Sequence, residues 1–301
     1  MNAPDLEKLR RSGLITATAR EAGKKMVRVG VRIEEVALAA EAIIYEMGGK
    51  PAFPAQLSRN HIAAHYCSPP GDPTVVLPDD IIKFDLGTQV DGYVTDSATT
   101  IDLGAGPESA LVAASQTALE NAIQLMGPGA SLTEIGGRIE DTIKAFGFNP
   151  VYNLTGHGVA RYVIHCAPTV PNYRDPKAVR LRAFQTIACE PFVCDGRGYI
   201  DTHGKAEVFG LKRKLKAKDK VPERIATAIE ATEGLPFARR SLLRHLESAA
   251  EAEECLRLLK RLGLLVEYPP LVEKAGVRVA QTEHTIFITE SGAEVLTRAP
   301  K

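Results

Sequence analysis

Apolar and polar positions along this chain change period in blocks, helical spacing first and strand spacing after, and the order occurs twice. Residues 4–28 read as a helix. Residues 33–47 place Ile33, Val36, Ala37, Ala40, Ile43, Ile44 and Met47 at helical spacing and stop at Gly48-Gly49, which predicts a second helix with one buried face. From Lys83 to Thr100 the period is two. Apolar and β-branched residues flank Asp91-Gly92, the signature of a hairpin. Pro107 is expected to open a third helix reaching about Leu125, ended by Gly127-Pro128-Gly129. Ser131-Leu132-Thr133-Glu134 has capping-box spacing and is expected to start a fourth, to Phe146-Gly147. Strand patterns return in 153–168, 185–192 and 277–288. Helices, strands, helices, strands predict an α+β domain of two related halves, with no repeat visible residue by residue.

Residues 201–276 differ in character. Lys212, Arg213, Lys214, Lys216, Lys218 and Lys220 form a basic run against a single Asp219. Helical patterns follow over roughly 222–232, 236–246 and 248–262, then a strand at Leu264–Tyr268, a Pro269-Pro270 turn and a return strand. Three short helices and a hairpin have the outline of a winged-helix module. The expected organisation is therefore a main domain of residues 1–200 and 277–301, interrupted by a helical subdomain of residues 201–276.

Composition narrows the class without choosing a function. The 301 residues are 45% apolar and 25% charged, as in soluble globular proteins. Lys+Arg and Asp+Glu balance at 37 each, so no global field points to nucleic acid or a membrane surface. No apolar run approaches a membrane span, and with charged residues near the start no secretory signal is expected. Five scattered cysteines (Cys67, Cys166, Cys189, Cys194, Cys255) suit a reducing cytoplasm.

The chemistry lies in polar residues stranded among apolar ones. Asp85 and Asp96 fall on facing strands beside Ile82, Phe84, Leu86 and Val94. Buried alone, each would be costly; side by side they would repel unless a cation intervened. His157 lies between Gly156 and Gly158, Glu190 closes an apolar run before Pro191, and Glu283 interrupts the last strand pattern. Four carboxylates and one imidazole suit a pair of divalent ions such as Mn²⁺, Fe²⁺ or Co²⁺ better than one structural zinc. Such a pair, about 3.5–4 Å apart, holds a hydroxide at neutral pH. Spacing alone does not bring the five together. Pro51 and Pro54 fix an extended segment able to present Phe53 to a pocket, and His65 stands in a mostly apolar stretch, where a histidine is either a hydrogen-bonded core residue or a catalytic one.

From Glu7 to near the C-terminus the chain resembles the methionine aminopeptidases of type 2, in their short archaeal form. The carriers are Gly49-Lys50-Pro51-Ala52-Phe53-Pro54, Ala63-Ala64-His65-Tyr66, Asp85-Leu86-Gly87, Thr95-Asp96, Gly156-His157, Ile164-His165, Glu190-Pro191-Phe192, Gly234-Leu235-Pro236-Phe237-Ala238 and Glu283-His284-Thr285. The resemblance implies the pita-bread fold, a pseudo-symmetric domain with a curved antiparallel sheet. The inserted helical subdomain between Glu190 and Glu283 marks type 2. It implies removal of N-terminal methionine from peptides and nascent proteins, with a small second residue preferred, by a metal-bridging hydroxide. Two divalent ions (Co²⁺, Mn²⁺, Fe²⁺ or Zn²⁺) are implied, Asp85 holding one, Asp96 and Glu283 bridging both, His157 and Glu190 completing the set. Glu190 matches the general acid/base, His65 and His165 the histidines that meet the substrate amide and developing oxyanion, and Phe53 and Ile164 the methionine pocket. The family precedent is a cytoplasmic monomer.

Three positions depart from the pattern: Thr282 where an aromatic residue is usual, Val29 for a loop proline, and Cys189 before Glu190. Thr282 is expected to loosen packing, and an exposed Cys189 would be sensitive to oxidation; the blander reading of both is an ordinary wall substitution. Two further readings stay open. The basic run is either a solvated face or a salt-dependent contact to ribosomal RNA. A catalytically silent relative binding RNA or ribosomes through the insert is the alternative function.

Overall fold

The computed structural model describes residues 3–106, 109–177 and 179–299. Helix α1 (Ala3–Met26) and helix α2 (Ile33–Glu46) match the helical spacing, and Ile33, Val36, Ala37, Ala40 and Ile44 are all buried. Strand β1 (Lys50–Arg59) and β2 (Ile62–Ala64) follow, then the predicted hairpin of β3 (Ile81–Val90) and β4 (Tyr93–Asp102). The antiparallel sheet β1-β3-β4 packs beneath the two helices, sharing a core with Ile15, Leu57, Ile82, Phe84 and Leu86.

The second half repeats the order. Helix α3 (Ala110–Ile123) is capped by Ser109, whose hydroxyl accepts from the Val112 amide at 3.4 Å; Pro107, the expected start, lies outside the described residues. Helix α4 (Leu132–Ala145) begins where the capping box was expected, but the Ser131 side chain makes no cap bond, and its backbone instead forms a β-bridge with Arg180. Then come β5 (Asn149–Pro150), β6 (Thr155–Ala160), β7 (Val163–Pro171), β8 (Thr186–Cys189) and β9 (Phe192–Cys194). These strands and helices share a second core that includes Ile135, Ile139, Ile187 and Val193.

The region expected as an insert holds β10 (Asp201–Thr202), β11 (Val208–Leu211), α5 (Glu223–Glu230), β12 (Phe237–Ala238), α6 (Arg239–Leu242), α7 (Ala249–Arg261), β13 (Leu265–Tyr268) and β14 (Leu271–Val272). The expected middle helix shrinks to one turn because Phe237 and Ala238 pair with β11 instead. The strands on either side of Pro269-Pro270 do not form the expected wing. β13 joins the sheet β12-β11-β13, while β14 joins β10-β14-β2, which places it against the main body. Two consecutive prolines supply no N–H for a hairpin and carry the chain from one sheet to the other.

Strands β15 (Val279–Gln281), β16 (His284–Ile288) and β17 (Ala293–Val295) return to the body. β15 pairs with β9 and β16 with β8, in sheets β15-β9-β5 and β17-β16-β8-β6-β7. Both strand pairs therefore break at the same level, Glu190-Pro191 on one side and Thr282-Glu283 on the other. Among the described residues no helix is long and apolar enough to cross a membrane.

Candidate active site

Asp85 stands opposite Ala98 and Asp96 opposite Gly87, so the two carboxylates leave the same face of the hairpin one step apart. The paired strand breaks meet that face. The Glu283 amide donates to the Ala98 carbonyl at 3.0 Å, and the Ser97 hydroxyl returns to the Glu283 carbonyl at 2.7 Å. The Asp96 amide donates to the Thr285 hydroxyl at 2.7 Å. These bonds lock the two halves of the molecule together at the carboxylates.

His157 enters from β6. Its flanking glycines answer a backbone demand rather than room for the ring. A Cβ on Gly156 would strike the Ala188 carbonyl, and one on Gly158 the Ala167 carbonyl, because β6 is squeezed between β7 and β8. His157 Nδ1 lies 3.3 Å from the Gly158 carbonyl; donating there leaves the Nε2 lone pair facing Asp96 Oδ2 at 3.7 Å and Glu190 Oε1 at 3.4 Å. Asp96, His157 and Glu283 each offer a ligand atom within 4.8 Å of the others.

Electrostatics here are those of crowded acids. Burial, partly offset by a hydrogen bond with Asp96, raises Asp85 to about 7. Burial and then Asp85 push Asp96 well above its ordinary value. Glu190 rises through burial and Asp85, and Glu283 through burial and Asp96. Burial, reinforced by His165, lowers His157 to about 3, so the imidazole is neutral at physiological pH, as a ligand must be. Asp85 Oδ1, Asp96 Oδ1 and Glu283 Oε1 are buried without a hydrogen-bond partner. Orphaned carboxylate oxygens on residues lining one cavity are what a hard divalent cation satisfies. The residues fit the group.

All nine candidate residues line one cavity of about 240 Å³. Phe53 and Ile164 form an apolar wall with Val94, Val159 and Leu235. His165 stands exposed at the rim, its ring 4.1 Å edge-on from His157. His65 adopts a left-handed backbone (φ 67°), leaves Nδ1 unpartnered, and is held about 4 by burial and then His165. Tyr268 of β13 meets the His65 ring edge-on at 6.1 Å, so the inserted region contributes to the cavity.

The sequence reading missed Gln281, Gln56 and Tyr268. Gln281 is 1% exposed and donates Nε2 to Glu190 Oε2 at 3.1 Å and toward Glu283 Oε2 at 3.5 Å. A signal for it existed: it lies two residues from Glu283, the spacing at which strand alternation returns a side chain to the same face. Of the three departures, Thr282 does not loosen the wall, since its hydroxyl pairs with Ser115 on α3 at 2.7 Å. Cys189 is fully buried in the second core, shielded from oxidants, and burial raises its thiol strongly. Val29 is exposed.

The pattern of metallopeptidase family M24 matches residues 7–290. The methionine aminopeptidase of Archaeoglobus fulgidus is 38% identical over 293 residues, covering 97% of this chain and 98% of its own. The solved methionine aminopeptidase of Thermotoga maritima is 26% identical with a TM-score of 0.71, covering 99% of this chain and 98% of that one. A solved thermophilic Arx1 superposes with a TM-score of 0.84 over 100% of this chain and 92% of that one, at 18% identity, a likeness of fold alone. The chain belongs to metallopeptidase family M24 and, within it, to the methionine aminopeptidases, with the family's pita-bread fold.

Proposed function

We propose that this protein is a type 2 methionine aminopeptidase that removes the N-terminal methionine of peptides and nascent proteins ahead of a small second residue. One observation carries the reading: four carboxylates and a neutral imidazole converge in one cavity and leave buried oxygens unpartnered. Asp85, Asp96, His157, Glu190 and Glu283 would hold two divalent ions, drawn from Mn²⁺, Fe²⁺, Co²⁺ or Zn²⁺. Bound there, the ions supply Lewis-acid polarisation of the scissile carbonyl and a lowered pKa for the attacking water.

The chain's own groups do the rest. Glu190, oriented by Gln281, accepts the proton of the attacking water and returns it to the leaving amine. His65 and His165, which line the same cavity, donate to the substrate amide and the tetrahedral oxygen. Phe53 and Ile164 receive the methionine side chain. Metal-loaded protein is expected to release Met from Met-Ala-Ser peptides and not from N-acetylated ones, with turnover abolished by Glu190→Gln. Activity surviving EDTA and that substitution would refute the mechanism.

Residues 201–276 form the inserted subdomain in this reading, supported by their separate core of Phe209, Ile225, Leu242, Leu256 and Leu259; their place between Glu190 and Glu283 supports type 2. Five free cysteines suit a cytoplasmic enzyme, and the monomer is an expectation for sedimentation velocity to check. The silent RNA-binding alternative finds no support in the relatives. A ribosomal contact would lie on the basic run, where Arg213 is already paired with Asp219 through two bonds of 2.8 Å. Ribosome co-sedimentation equal for wild type and a Lys/Arg→Ala run at low salt would exclude that contact.

A further inference from the structure

Strand β1 does not run evenly along β3. Lys50 and Pro51 face Gln89 and Thr88, but Phe53 faces Gly87 and Gln56 faces Asp85, so between the last two β1 advances three residues while β3 advances two. The extra residue is a β-bulge at Pro54-Ala55. Residues three apart on a regular strand face opposite ways. Here Phe53 and Gln56 both line the catalytic cavity, and the bulge is the reason.

A bulge leaves backbone groups without ladder partners, and Ala55 is 1% exposed. Proline at 54 brings no N–H to satisfy. The Ala55 amide donates to Glu41 Oε1 of α2 at 2.9 Å, and its carbonyl accepts from Arg240 Nη2 of α6 at 2.9 Å. The same Arg240 nitrogen donates to Glu41 Oε1 at 2.6 Å, closing a ring around Ala55. Arg240 is 7% exposed, and its Nη1 reaches the Ser68 carbonyl at 3.0 Å.

Phe53 needs such an anchor. The residue lines both the catalytic cavity and a second one of about 150 Å³, lined also by Arg240, Pro236 and Tyr45, so empty space borders it on two sides. Only the absence of a Cβ at Gly87 lets the ring approach β3. We infer that Arg240, with Glu41, is a positioning residue for side-chain specificity: the ion pair fixes the Ala55 bulge and so holds Phe53 as the wall of the methionine pocket. The inference rests on the aminopeptidase reading above.

Removing one partner would strand a buried charge, so the primary variant replaces both, E41M/R240M, which leaves no unpaired charge and removes the bonds to Ala55. Kinetics with Met-Ala-Ser and its norleucine counterpart, and amide exchange across residues 52–57, are measured on the metal-loaded protein. A wall displaced without loss of the reacting groups raises KM about tenfold, leaves kcat within about threefold, and erodes the preference for methionine over norleucine. Exchange in 52–57 accelerates about tenfold or more once the Ala55 bonds are gone. R240K, which keeps the charge without the fork, gives an intermediate KM and stands in if the double variant does not fold. L259A, which loosens the insert core away from the bulge, leaves KM unchanged. An unchanged KM, an unchanged exchange rate, or an equal KM rise in L259A overturns the inference. If wild type releases no methionine the aminopeptidase reading fails, while the exchange arm still decides whether the ion pair holds the bulge.

Discussion

Gln281 donates Nε2 to Glu190 Oε2 at 3.1 Å from the strand that runs into Glu283. One amide thus touches both acids at the two strand breaks, and its Oε1 is left without a partner. Groups that orient metal-ligating carboxylates typically matter about 10- to 100-fold in metal affinity or activity. Gln281→Leu is therefore expected to lower kcat/KM for Met-Ala-Ser by about that factor while the fold survives. Calorimetric Mn²⁺ titration alongside the assay checks it. Wild-type affinity and rate together would leave Gln281 a wall residue only.

Stability of the metal-free protein should fall as pH rises toward and through neutrality. Asp85 is raised from 3.8 to about 7, and Asp96, Glu190 and Glu283 are raised further by burial and one another. Through that range the folded chain holds protons the unfolded chain has released, so each rise in pH favours unfolding. The buried imidazoles act oppositely: His65 is lowered to about 4, and His157 and His284 to about 3, so their destabilising effect is confined to pH below 6.5. The acids' window thus opens near pH 4, where the unfolded carboxyls ionise, and for Asp85 closes near 7; from about pH 6.5 upward the imidazoles no longer offset it. Melting temperature without metal should drop across it, and Mn²⁺ should raise it more at the upper end, where fewer protons must be displaced. A flat metal-free profile contradicts this.

Thr282 tests whether the departure beside Glu283 is a weakness. Ser115 already donates its only hydroxyl proton to the Val112 carbonyl at 2.9 Å, so Thr282 is the donor in the Thr282–Ser115 pair. Thr282→Val keeps the shape and removes the donor, a loss of about 1 kcal/mol. Denaturation midpoints should show that loss with kcat nearly unchanged. A rise in stability would restore the expectation of loosened packing.

Much of the candidate site was legible because it depends on short-range alternation. Asp85 and Asp96 betrayed themselves as acids among Ile82, Phe84, Leu86 and Val94, and the Asp91-Gly92 turn set their facing strands. Glu190 was read as closing an apolar run and Glu283 as interrupting a strand; that both sit at paired strand breaks is a fact of sheet pairing across almost a hundred residues. Tyr268 and Arg240 escaped notice for the same reason: β13 and α6 reach the site through tertiary packing, and neither residue departs from its local pattern. Phe53 and Gln56 both line the cavity, although regular alternation sends residues three apart to opposite faces. Only the bulge reconciles them.

Gly158 offers the most direct test of how His157 is placed. Strand β6 shifts register on either side of Gly158, and there the chain passes close enough to β7 that a Cβ would lie 2.6 Å from the Ala167 carbonyl carbon and 2.9 Å from the Cys166 carbonyl oxygen. Those atoms are backbone and have no rotamer by which to retreat. Gly158→Ala must push β6 and β7 apart, at a cost of about 2 kcal/mol in line with overpacking elsewhere. Since His157 Nδ1 faces the carbonyl of residue 158 itself, the same movement rotates the imidazole away from Asp96 and Glu190. Gly292 serves as the control, because a Cβ there meets nothing within 4 Å. Mn²⁺ affinity and melting temperature should both fall in G158A and stay near wild type in G292A. Equal metal affinity in the two variants would mean that β6 yields without moving His157, and that its glycines serve the sheet alone.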